Sequence, residues 1–220
     1  MSVKMRPFRF KCRVKDVEHS CRHGNDDEPR HPARLSECIT DIVGATKGML
    51  FDGVIKSPAN NYQIDISDFD SQLVRKASAV GWNEKTLPKP QELGDIPNIK
   101  PDALLTQYGL NITVEIEKSN EKTVWFDFIK LLMLIDINVA DFGLLVVPCN
   151  YAFRTGKWNL FTEARYYRWC LERFAKVDVG SLSKIAVLGY TQQVQTPSGW
   201  TNLDDSVLRT VKEQAHAFFS

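Results

Sequence analysis

Three carboxylates, Asp102, Glu115 and Glu117, have the types and spacing to do chemistry together. They fall within residues 100–120, KPDALLTQYGLNITVEIEKSN. Residues 103–107 and 110–116 are runs rich in Leu, Ile, Val and Thr, and Tyr108-Gly109 between them has the length of a two-residue hairpin loop. Such a loop pairs Gln107 with Leu110, and counting outward sets Asp102 opposite Glu115. Directly paired residues have Cβ atoms about 4.5–5.5 Å apart, and the period of two puts Glu117 on the same face as Glu115. Val114, Ile116 and Lys118 point the other way. Like charges this close destabilise a sheet and raise each other's pKa unless a cation compensates them. Mg²⁺ takes oxygen ligands and commonly uses one or two carboxylates together with water and phosphate oxygens, a demand that Asp102, Glu115 and a phosphate substrate meet. A solvated hairpin edge that is merely acidic is the competing reading.

The elements that must hold this hairpin follow from periodicity. Upstream, residues 35–47 have helical spacing, 49–55 are extended, and a second acidic run, IDISDFD, precedes a helix expected over 71–80. That run is a rival metal site, read here as a solvated loop whose Asp and Ser cap the helix. Pro88, Pro90 and Pro97 form a stiff connector into the hairpin. Downstream, Ser119 and Asn120 can cap a helix running to about residue 137, apolar nearly all round and therefore buried on several sides or partly in a subunit interface. Residues 142–148, FGLLVVP, form a continuous apolar run typical of a strand covered on both faces. A helix over 162–176, a strand over 184–190 and a helix over 203–219 complete an α/β order, a mixed sheet flanked by helices.

Composition bounds the rest. The chain has 220 residues, 43% hydrophobic and 25% charged, with 28 Lys and Arg against 27 Asp and Glu. A net charge of +1 announces no polyanion partner, so any basic surface is local: residues 4–15, and Arg154, Lys157, Arg165, Arg168 and Arg173. One domain is expected, with residues 1–44 as an N-terminal extension or arm, residues 16–34 a long surface loop, and 45–220 a core. No apolar run spans a membrane and no signal-peptide core follows Met1, so a cytoplasmic protein is expected. Cys12, His19, Cys21, His23, His31 and Cys38 cluster loosely, but no CxxC supplies the spacing of a zinc site.

At the hairpin the chain resembles the PD-(D/E)xK nucleases, and within them the BamHI/BglII group of type II restriction endonucleases. Glu117 stands where most of the family has Lys, a BamHI-like peculiarity. Val114-Glu115-Ile116-Glu117-Lys118-Ser119-Asn120 is similar to the corresponding BglII-like segment, as is Gly48-Met49-Leu50-Phe51-Asp52, while FGLLVVP resembles the strand after the BamHI catalytic helix. The resemblance covers roughly residues 45–148. It implies a restriction-endonuclease-like fold and a Mg²⁺-dependent homodimer that hydrolyses double-stranded DNA at a short palindrome, by family analogy a GATC-centred one, leaving 5′-phosphate and 3′-hydroxyl ends. Asp102, Glu115 and the Ile116 carbonyl would hold the metal, and Glu117 would orient or deprotonate the attacking water.

Ser119 and Asn120, at a helix N-terminus beside the scissile position, are candidates for DNA readout as well as for simple capping. The segment after FGLLVVP adds Asn150, Arg154 and Lys157 for bases and phosphates. A repair or junction nuclease of the same superfamily, or a DNA-binding protein without catalysis, would share these features. Cleavage at one palindrome separates the first alternative, and metal-dependent cutting the second.

Overall fold

A computed structural model describes residues 6–20, 33–57, 64–87, 89, 99–118, 121–153 and 156–220. Its centre is a nine-stranded mixed sheet in the order β3-β2-β1-β10-β7-β6-β5-β4, with β11 paired to β10. These strands are β1 Phe8–Ser20, β2 Leu50–Ile55, β3 Ile64–Ser67, β4 Asn83–Glu84, β5 Ala103–Gln107, β6 Leu110–Ile116, β7 Phe142–Pro148, β10 Ile185–Thr196 and β11 Gly199–Asn202. Among the described residues only β6 with β7 and β7 with β10 pair in parallel, and the sheet's other pairings are antiparallel.

Two helical layers close the sheet. On one face α1 (Ala33–Thr46), α2 (Phe69–Ala79) and α6 (Asp205–Phe219) pack on Val114, Leu144, Val146, Ala186 and Leu188. On the other, α3 (Glu121–Asp136), α4 (Leu160–Arg173) and α5 (Val179–Ser183) pack on Leu145, Val147, Ile185 and Val187. Alternate residues of β7 thus enter opposite cores, which is why FGLLVVP has no polar position: all seven of its residues are buried.

Local chemistry explains the element ends. Tyr108 (φ 53°) and Gly109 (φ 77°) both turn left-handed, the geometry of a type I′ hairpin loop, so the strands re-pair at Gln107 and Leu110 as the sequence predicts. The Asn159 side chain accepts from the Thr162 N–H (3.0 Å) to start α4, and Asp204 accepts from the Val207 N–H (2.9 Å) to start α6.

Several expectations need correction. IDISDFD is not a loop, because Ile64–Ser67 forms β3 against β2. The helix after it starts two residues early, at Phe69, and Asp68 does not cap it through its side chain. Instead, Asp68 Oδ1 accepts the Asp52 N–H (3.0 Å), tying α2 to β2. Of the surface loop expected over 16–34, residues 16–20 belong to β1 and 33–34 to α1, and 21–32 lie outside the described residues. What the sequence sets apart before residue 45 supplies β1, which lies between β2 and β10, and α1, whose Leu35, Ile39 and Ile42 enter the core. Cys12 and Cys38 are core residues too, with burial pushing their thiols up to about 12 and about 11 respectively. The strand expected over 184–190 runs on to Thr196 and turns back as β11. Pro88, Pro90 and Pro97, with Cys21, His23 and His31, lie outside the described residues. Among the described residues no helix is long and apolar enough to cross a membrane.

Candidate metal and nuclease site

The β5–β6 hairpin positions the acidic residues. Its last ladder pair is Ala103 with Val114, and beyond it Asp102 uses its side chain where a backbone partner would be: Oδ2 accepts the Ile116 N–H at 2.8 Å. Asp102 is solvent-exposed and Glu115 is 1% exposed. Because β6 alternates, Val114 and Ile116 enter the core under α2 and α6, while Glu115 points to α3.

There Glu115 meets Lys130. The lysine ammonium donates to Glu115 Oε2 at 2.5 Å and lies 3.8 Å from Asp127 Oδ1, one turn earlier on α3. Glu115 Oε1 is buried without a hydrogen-bond partner. An orphaned carboxylate oxygen in a buried site costs about 1–3 kcal/mol or more until something binds it. Burial pushes the Glu115 carboxyl up to about 8, against Lys130, which favours the charged form, and with Asp102 and Asp127 adding repulsion. Asp127 is pushed up to about 6, again chiefly by burial, with Glu117 and Asp102 as repelling neighbours. Asp102, Glu115, Glu117 and Asp127 are therefore one electrostatic cluster in which Asp127 connects Glu117 to the rest.

Glu117 sits where β6 gives way to α3. Its Oε1 accepts the Lys118 N–H (2.8 Å) and its Oε2 accepts the Thr123 hydroxyl, which orient the carboxylate. Lys118 leaves on the opposite side, its ammonium 2.8 and 2.7 Å from the two Asp70 carboxylate oxygens on α2. Lys118 faces away from Glu115, as expected, and its charge is held by Asp70.

The donor set suits a hard cation that keeps water ligands. Asp102 immediately precedes β5 and Glu115 lies on the neighbouring strand β6, Glu115 Oε1 has no partner, and the Ile116 carbonyl lies between Glu115 and Glu117 in the chain. Among the described residues no three His, Cys, Asp or Glu side chains, Asp102, Glu115 and Glu117 included, gather into a metal-holding group.

The readout candidates fare differently. Ser119, Asn120 and Arg154 lie outside the described residues. Lys157 is in β9 (Gly156–Trp158), paired with β8 (Tyr151–Phe153), so the segment after β7 is a separate two-stranded hairpin and not a loop. Asn150 is 6% exposed, and its carboxamide is fully used: Nδ2 donates to the Gln192 and Leu203 carbonyls (2.9 and 3.1 Å), and Oδ1 accepts the Gln192 N–H (2.6 Å). That geometry makes it a brace for the β7–β8 junction, with no group left for a base. Arg168, part of the second basic cluster, is likewise buried, donating to the Ile185 and Leu182 carbonyls at 2.5 Å each.

Lys130 and Asp127 are the site residues that sequence reasoning missed. A signal was present: both are charges in a helix otherwise apolar nearly all round, spaced to lie on one side of it. Charges buried with such a helix need a partner from the sheet, and Glu115 is the inward-facing carboxylate available. No protein-family model and no curated protein matches the chain.

Proposed function

We propose that this protein is a Mg²⁺-dependent endonuclease that cuts double-stranded DNA at a short palindrome as a homodimer, in the manner of type II restriction endonucleases of the PD-(D/E)xK superfamily. The observation that carries the reading is the β5–β6 hairpin end, where Asp102 braces the Ile116 N–H at 2.8 Å beside a buried Glu115 whose Oε1 has no partner. Asp102, Glu115 and the Ile116 carbonyl would hold the metal, which would supply Lewis-acid chemistry at the phosphate. Glu117, oriented by Thr123 and the Lys118 N–H, accepts the proton of the attacking water. Lys130 keeps a positive charge beside Glu115 as negative charge develops on the phosphate.

DNA reading falls to the segments at the C-terminal ends of the parallel strands β6 and β7, whose last mutual pair is Ile116 with Val146. Ser119 and Asn120 follow β6, and the β8–β9 hairpin with Arg154 and Lys157 follows β7. A GATC-centred target remains part of the proposal by family analogy.

The Lys130–Glu115 ion pair favours one rival: a DNA-binding protein in which the pair is only structural. Digestion of a mixed duplex library with Mg²⁺, followed by sequencing of the ends, reads activity, target and overhang together. The expected result is cleavage at one palindrome, lost in Glu115→Ala by a factor of about 10³ or more while sequence-specific binding persists. If the purified protein with Mg²⁺ cuts nothing, or Glu115→Ala cuts as well as the parent chain, the nuclease reading fails.

A further inference from the structure

We infer that the open face of β1, carrying Arg9, Lys11 and Arg13, is a surface for the phosphate backbone of duplex DNA at a distance from the bond that is cut. Alternation along β1 sends Phe8, Phe10, Cys12 and Val14 into the core beneath α1, α2 and α6 and leaves Arg9, Lys11 and Arg13 on the other side. Glu115 faces that same side. It lies opposite Leu145, Leu145 lies opposite Val187, and steps of two along β10 lead from Val187 to Gln193, the partner of Arg13. The core beneath α3, α4 and α5 takes strand residues from β7 and β10 and none from β1, β2 or β3. The Arg9 and Lys11 side chains are accordingly 56% and 61% exposed. The row also lies at the catalytic end, because β10 runs on past its last pair with β7, Tyr190 with Pro148, to reach Gln193. Strand rise and spacing put Arg13 roughly 20 Å further along the sheet than Glu115 and roughly 14 Å across it. That separation matches on the order of seven base pairs of duplex.

The row is held in place by its neighbours. Arg13 Nε donates to Gln193 Oε1 at 2.8 Å, its guanidinium lies 4.7 Å over the Trp200 ring, and Gln193 Nε2 donates to Asn202 Oδ1 at 3.0 Å, so β10 and β11 fix the arginine. The acids on this face are already engaged. Asp52 meets both Arg9 (3.4 Å) and Lys11 (2.6 Å), and Asp65 meets Lys56 (2.8 Å). The Asp52 side chain is 17% exposed, recessed beneath the two bases that bracket it, so the outermost charges are positive. Alternate residues stand about 6.6 Å apart along a strand, and such a row presents evenly spaced cations to an evenly spaced chain of phosphates. Contacts of this kind position a protein on DNA and carry no sequence information. The choice of DNA as the polyanion rests on the function proposed above, whereas the surface is read by binding without Mg²⁺, so either can fail alone.

The experiment follows binding of the full chain to a fluorescent mixed-sequence duplex of about 30 base pairs by anisotropy, in chelator and over a salt series, with circular dichroism to show each variant is folded. The triple variant R9Q/K11Q/R13Q should bind about tenfold more weakly or worse, and its slope of log affinity against log salt should shrink by about 2–3; R13Q alone should lose about 1. Leu50, the partner of Arg13, is 53% exposed, so L50K adds a base to the row without entering the core. It should tighten binding and steepen the slope by about 1. R209Q removes an exposed base from α6, on the opposite face, and should change neither. A parent chain that binds no duplex, a triple variant that binds as the parent does, an L50K chain that binds no tighter, or an equal loss in R209Q would each overturn the inference. So would a triple variant that loses binding to phosphatidylserine vesicles but keeps it to the duplex, which would assign the row to an anionic membrane. Cleavage with Mg²⁺ is read separately. A parent that cuts DNA while the triple variant binds as it does overturns the surface and leaves the nuclease standing; weakened binding in the triple variant with no cutting by any chain does the reverse.

Discussion

Glu115 is a carboxylate kept where carboxylates are least comfortable. It is 1% exposed, in contact with one ammonium, and close to Asp102 and Asp127. Burial outweighs the lysine, and the folded protein holds a proton on Glu115 up to about pH 8 and on Asp127 up to about pH 6, where ordinary carboxyls of these types release theirs near 4.5 and 3.8. Between those limits the folded chain binds more protons than the unfolded one, so stability falls as pH rises. The contribution is fully present below about pH 4 and is lost as pH passes 6 for Asp127 and 8 for Glu115. In metal chelator, therefore, the melting temperature should be lower at pH 8 than at pH 5, by about 2–4 °C per kcal/mol for a chain of this size. Glu115→Gln, which carries no proton to lose, should flatten the upper part of that profile. A parent profile no steeper than that of the Gln variant would show that Glu115 is ionised throughout. Mg²⁺ should raise the melting temperature more at pH 8 than at pH 5, because binding requires the deprotonated carboxylate.

At the scale of elements, the hairpin loop sets the site, since a slip of one residue would turn Glu115 into the opposite core and Val114 toward Lys130. The loop carries a local cost. Tyr108 is left-handed at φ 53° and 86% exposed, so its ring repays little of the strain. Tyr108→Asn makes the Asn-Gly pair that type I′ loops prefer and should stabilise the fold by about 0.5–1 kcal/mol with no effect on cleavage, read by thermal melting and digestion in parallel. Helix α3 is the second element of the site. Val124, Phe128, Leu131 and Ile135 hold it on the sheet, and that packing delivers Asp127 and Lys130 to Glu115. Its apolar periphery was legible in the sequence, but the destination of its two inward charges depended on which strand lay beneath.

Across the whole molecule, β10 is the spine: it pairs with β1, β7 and β11 and lies under both helical layers. Gly189 on that strand lets α4 come close. A Cβ there would lie 2.5 Å from the Phe161 ring and 2.7 Å from Cys149 Sγ, so Gly189→Ala should push α4 off the sheet. We expect a loss of about 1–3 kcal/mol by denaturant unfolding. Unchanged stability would mean that Phe161 and Cys149 yield without cost. Much of this architecture was hidden in the sequence. The alternation of apolar and charged residues in the first basic cluster reads as an ordinary strand with a solvated face, and it is one, β1, but its place in the sheet was not legible. In the structure it lies between β2 and β10, and its Arg13 bonds Gln193, 180 residues further along the chain.

The sequence by itself determined what depends on neighbours in the chain. Hairpin register, the direction of Lys118 away from Glu115 and the doubly covered β7 follow from a period of two, a two-residue loop and an unbroken apolar run. Tertiary structure alone decided what depends on distant segments meeting. It inserted β1 into the sheet, made β3 from an acidic run, turned Asn150 inward to the Gln192 and Leu203 backbone, and brought Asp127 and Lys130 to Glu115. Periodicity encodes which side of an element is apolar. Which other element covers that side, and hence which buried charge finds which partner, is settled only when the two cores close.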